Sequence, residues 1–132
     1  MTTDRNRPTL RAAAACAIAL LAAPLAHADI VDIDWGANNS FERSLSVAPT
    51  KFAEVCGPLK AGDAVQWRFD ASQALDFNIH FHEGKAVHYP ARADQTRELT
   101  GTLAVAVSQD YCWMWTNKSP VAATLNIRLQ KP

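Results

Sequence analysis

From Phe41 onward the chain alternates apolar and polar positions with a period of two. Val65, Trp67 and Phe69 alternate with Gln66, Arg68 and Asp70, and Leu75, Phe77, Ile79 and Phe81 alternate with Asp76, Asn78, His80 and His82. Leu103, Val105 and Val107 are spaced by small residues, and Tyr111, Trp113 and Trp115 by Cys112, Met114 and Thr116. The last run sets Val121, Ala123, Leu125, Ile127 and Leu129 against Thr124, Asn126, Arg128 and Gln130. Successive side chains of a strand point to opposite faces, so this period predicts strands with one face in a core and the other in water. No comparable helical stripe runs through residues 29–132.

Turn-forming residues punctuate the pattern. Pro49 divides two early strands, and Gly57-Pro58 followed by Gly62-Asp63 marks a connection before Ala64. Ala71 to Ala74 reads as a short hairpin link, Glu83-Gly84-Lys85 as a turn, Pro90 to Asp94 as a loop, and Asn117 to Pro120 as the link before the closing strand. Asp29 to Ser40, with Gly36, Asn38 and Asn39, reads as an irregular lead-in. Many short strands at this spacing predict an all-β fold, an antiparallel β-sandwich of jelly-roll type, with a barrel as the alternative.

The N-terminus changes the context. Arg5, Arg7 and Arg11 precede an uncharged apolar run from Ala12 to Leu25, and Ala26-His27-Ala28 supplies small residues for cleavage. This is the pattern of a secretory signal over residues 1–28. The run is short against the roughly 20 apolar residues of a bilayer span. Removing it leaves one expected domain, residues 29–132, with 10 basic and 12 acidic residues and no membrane span. A net charge near −2 with no basic run does not favour nucleic acid. Cys56 and Cys112 are the cysteines that remain, and an even count in an exported domain implies one disulfide.

The pieces Gly62-Asp63-Ala64-Val65-Gln66-Trp67-Arg68-Phe69, Leu75 to Phe81, Asp110 to Asn117 and Val121 to Leu129 occur in an order that resembles a GOLD (Golgi dynamics) domain. The resemblance spans Ser44 to Leu129. It implies a β-sandwich with a partner-binding role and a bridge between an early strand and the penultimate one, where Cys56 and Cys112 stand. The coiled coil, membrane helix and cytosolic tail of the cargo receptors in that family have no counterpart here.

Among chemistry-bearing residues, His80 and His82 stand out. Two apart in a strand, they share a face about 6.5 Å apart along the backbone, a spacing at which two imidazoles can share a metal ion. His88 lies beyond the Glu83-Gly84-Lys85 turn, Glu83 or Asp76 offers an oxygen, and Met114 offers a thioether. His with Met favours copper, and His with carboxylate favours zinc. The competing reading puts these histidines on the solvated face of a sheet. A blue-copper site lacks its ligands, since no His follows His88 and Cys112 is committed to Cys56. Tyr111, Trp113 and Trp115 read either as an aromatic platform or as core, and Trp35 as an exposed aromatic. No Gly-x-Ser-x-Gly elbow and no Gly-rich phosphate loop is present.

The sequence therefore predicts a non-enzymatic, periplasmic or secreted module that binds a protein, peptide or lipid without a cofactor. The alternative is a small periplasmic copper or zinc protein built on His80 and His82.

Overall fold

A computed structural model describes residues 29–132. The expected signal segment, residues 1–28, lies outside the described residues. The strands are β1 (Asp29–Asp32), β2 (Ser40–Val47), β3 (Phe52–Leu59), β4 (Ala64–Glu83), β5 (Ala86–Ala104), β6 (Gln109–Thr116) and β7 (Ala123–Gln130). They follow the order β1-β3-β6-β4-β7-β2, with β5 on the other side of β4. Every pairing is antiparallel except the parallel β1–β3 pair. Among the described residues no helix is long and apolar enough to cross a membrane.

Strand β4 belongs to both layers. Gln66 to Ala71 pair with β7, whereas Asp76 to Phe81 pair with β6. One layer is thus β2, β7 and the first half of β4, and the other is β1, β3, β6 and its second half. Strand β5 follows β4 along its length and extends both layers. The result is the all-β sandwich that the period-two pattern predicts, with its sheet nearly closed on itself.

This corrects three expected connections. Ala71 to Ala74 do not form a hairpin link, because β4 runs through them. Its register with β5 shifts between Asp70 and Leu75, an irregularity that bends the strand from one layer to the other without a turn. Pro90 to Asp94 is strand rather than loop. The register slips again between Ile79 and Phe81, so Tyr89 and Pro90 together oppose His80. A proline fits there because a bulged edge strand asks for no ladder N–H. Gly57-Pro58 falls inside β3, where Ile33 lies over Gly57. The lead-in is also partly regular, since Asp29 to Asp32 pair with Ala53 to Cys56.

The two-residue Gly84-Lys85 turn is as expected, and Gly84 has φ 58°, a left-handed value that glycine adopts without a Cβ clash. The last expected link is held by Asn117. Its buried side chain donates to the Val47 and Val121 carbonyls at 2.9 and 2.8 Å, joining the end of β2 to the approach of β7.

Aromatic side chains fill the space between the layers. Tyr111, Trp113 and Trp115 are buried, which decides for core over an aromatic platform. Phe77 lies 4.9 Å from both Trp67 and Phe69, ring centroid to ring centroid, and 5.5 Å from Trp115. Such pairs contribute about 0.5–1.5 kcal/mol each beyond the area they bury. The indole N–H groups of Trp67, Trp113 and Trp115 are buried and meet no acceptor among the described residues, which offsets part of that gain.

Trp67 lies on Gly101 of β5, its cross-strand partner, and a Cβ at Gly101 would come within 2.8 Å of Trp67 Cε2. Gly101→Ala is therefore expected to destabilise by about 1–3 kcal/mol, the usual cost of overpacking. Urea unfolding checks this, and a change under about 0.5 kcal/mol, as at a free surface position, would mean that the ring has room to move.

Candidate functional site

Two outward faces carry polar chemistry. On the five-stranded layer, Cys56 stands opposite Cys112, and Cys112 stands opposite His80. Glu54 stands opposite Met114, and Met114 opposite Asn78. Strand alternation puts all of these on one face, with His82. Cys56 and Cys112 form the expected disulfide, with their Cα atoms 4.1 Å apart.

Although it faces outward, His80 is only 7% exposed. The His82 ring is 5.3 Å away and the Tyr89 ring 6.0 Å, and the Arg92 guanidinium stacks 3.5 Å above Tyr89. His80 Nδ1 meets Asn78 Oδ1 at 2.8 Å, and its Nε2 faces Glu54 Oε1 at 3.9 Å. Burial, with His82 beside it, pushes the His80 imidazole below the usual histidine range. Burial also pushes the Glu54 carboxyl up, while the charge of His82 acts against that rise.

The structure thus brings His80, His82 and Met114 to one face. It does not bring His88 there. His88 stands opposite Phe81, stacks on that ring at 4.8 Å and pairs with Glu83 at 2.8 Å on the other face. The slip around Pro90 keeps His88 in step with Phe81 instead of the histidines. Asp76, the other oxygen donor considered, is engaged by Lys118 and Gln95. Glu54 was missed in the sequence. Its only local signal is an E-x-C spacing that shares a face with Cys56, and the proximity to His80 requires the β3–β6–β4 pairing. Trp35 is half-buried, with Lys131 Nζ 4.4 Å from its ring centroid, rather than exposed.

The opposite layer presents Arg68 directly across from Arg128. Like charges so placed repel. Glu42 pairs with Arg128, and Asn126 donates to Asp70 at 2.8 Å. Among the described residues no ion pair engages Arg68. Shallow depressions flank it, one bounded by Glu42, Ser44, Asp70, Asn126 and Arg128, the other by Asp70, Glu98 and Thr100. Sequence alone does not reveal this pair, because its members lie in strands far apart in the chain.

No family model and no curated protein matches this sequence. Solved structures do match the fold. One is PliG from Aeromonas hydrophila, a periplasmic inhibitor of g-type lysozyme, with a TM-score of 0.64 and 15% identity over 79% of this chain and 96% of that one. PliG from Salmonella Typhimurium has a TM-score of 0.56 and 14% identity, covering 80% of this chain and 100% of that chain. A mutant of the Escherichia coli PliG has the same TM-score at 13% identity, with 80% and 100% covered. At such identities the likeness establishes the fold alone. It supports an all-β sandwich and does not show a GOLD domain.

Proposed function

We propose that this chain is an exported, non-catalytic protein-binding module of the periplasm whose partner is a lysozyme-class cell-wall hydrolase. The observation that carries the reading is the shared fold, which spans nearly the whole length of three periplasmic proteins described as lysozyme inhibitors. The surface is compatible with such a role. The Arg68–Arg128 face is broad and polar, with shallow, open depressions, a form suited to another protein's surface rather than to a small substrate. Arg68 is free to meet a carboxylate of the partner, a charge-assisted contact that arginine makes in bidentate geometry. The GOLD resemblance points to the same class of activity, partner binding on a sandwich, without fixing the partner.

The oxidised chain should inhibit cell-wall clearing by g-type lysozyme in a dose-dependent manner and form a 1:1 complex with it. Arg68→Glu should weaken that complex by about tenfold or more, chiefly at low salt, as expected for a charged contact. Absence of inhibition and of association with g-type, c-type and i-type lysozymes would refute the reading.

A further inference from the structure

We propose that the outer face of the five-stranded layer is a binding site for a divalent transition-metal ion of the zinc–copper class, with His80 Nε2, His82 and Glu54 as ligands. This activity is separate from partner binding and lies on the opposite layer from Arg68.

The argument starts from the His80 tautomer. Asn78 Oδ1 can only accept a hydrogen bond, so at 2.8 Å it holds the proton on Nδ1. Nε2 of the neutral ring then carries a lone pair. That lone pair faces Glu54 Oε1 at 3.9 Å, beyond hydrogen-bond reach. Two electron-rich atoms thus confront each other, with their side chains only 9% and 15% exposed. A cation between them resolves the confrontation. Ligand atoms about 2.0–2.1 Å from a tetrahedral metal lie about 3.3 Å from each other, so the gap needs to close by only about half an ångström.

The hydrogen bond from Nδ1 to a side-chain carbonyl is also what a metal-binding imidazole requires, since it fixes the tautomer and the ring plane. His82 supplies the third donor from the same strand face, and its ring lies 5.3 Å from that of His80. It is exposed, so it can turn toward the ion, and the site stays open to solvent for loading. Two neutral imidazoles and one carboxylate form a donor set suited to zinc or copper(II). The sulfurs of Cys56 and Cys112 lie within 4.8 Å of the Glu54 carboxylate, but they are bonded to each other and supply no thiolate. Arg92, the nearby cation, is held over the Tyr89 ring. Met114, between Glu54 and Asn78 in the strand order, carries a soft thioether on the same face, which divalent binding does not require.

The test titrates the oxidised chain, freed of metal with a chelator, with zinc chloride and separately with copper(II) sulfate in a calorimeter. One equivalent of at least one ion should bind. Glu54→Gln and His82→Asn should each lower the affinity at least tenfold, and Asn78→Ala should lower it by about 10–100-fold, as loss of a supporting hydrogen bond does. His88→Ala, on the other face, should leave it unchanged. Met114→Leu should leave divalent binding intact. Nitrogen chemical shifts of wild-type histidines should identify His80 Nε2 as ligated, a readout that survives if a His80 variant fails to fold. Lack of uptake by wild type, or uptake that is equal in the Glu54 and His82 variants, would overturn the proposal. The lysozyme assay, run with and without chelator, stays independent of that outcome.

Discussion

Truncating Phe77 to alanine should lower stability by about 3–5 kcal/mol, the range for removing a buried aromatic ring from a core. Phe77 is 2% exposed and touches rings from both layers: Trp67 and Phe69 from the first half of β4, and Trp115 from β6. Its loss removes burial, leaves a cavity at the centre of the sandwich, and unpairs three aromatic contacts together. The cavity lies under the bend of β4, where the layers are joined covalently as well as by packing, so the site has little freedom to collapse. Urea unfolding of the oxidised chain measures the effect. The matched control is Val121→Ala, at a position 54% exposed, which should change stability by about 0.5 kcal/mol or less. A Phe77 variant as stable as that control would mean that the layers are held together elsewhere.

Replacing Cys56 and Cys112 together by serine should lower stability by about 2–5 kcal/mol. The bridge closes a loop with a sequence separation of 56 residues. In the chain-entropy description that constraint on the unfolded chain contributes about 4 kcal/mol. The fold itself should persist in the double variant, because β3 and β6 remain paired over Phe52 to Leu59 and their apolar side chains still face the core. Denaturant midpoints of oxidised wild type, reduced wild type and the double variant give the comparison. Reduced wild type and the variant should match each other and fall below the oxidised protein. Three equal midpoints would show that the bridge does not constrain the unfolded chain. Alkylatable thiols at Cys56 and Cys112 in the native, untreated protein would show that it does not form.

The same residues show how far sequence reasoning reaches. The alternation of Trp67, Phe69, Phe77, Ile79, Leu125 and Leu129 is a local property, and it set each of them on the core face, whereas for Trp113 and Trp115 it left an aromatic platform open until their burial decided for core. The disulfide was legible because, with residues 1–28 read as a signal segment, only one pairing is open to the two cysteines that remain. The connections at Ala71 to Ala74 and at Pro90 were misread because a bulge and a turn draw on the same small residues and proline. What separates them is whether the neighbouring strands continue, and that is not local information.

The candidate site divides in the same way. His80 and His82 were set on one face by their spacing alone, and Met114 was placed with them once β6 was taken as a neighbour. Glu54 could not be added, and His88 could not be removed, without the pairing register.

By itself, then, the sequence determined an all-β fold, the core face of its main alternating runs and, with residues 1–28 read as a signal, its single bridge, because each of these follows from side-chain period or from count. The tertiary structure decided the rest. It made one bent strand serve both layers, buried an outward-facing histidine against a glutamate from a remote strand, and set Arg68 across from Arg128. These are consequences of strand order and register, which arise only when segments far apart in the chain pair with each other.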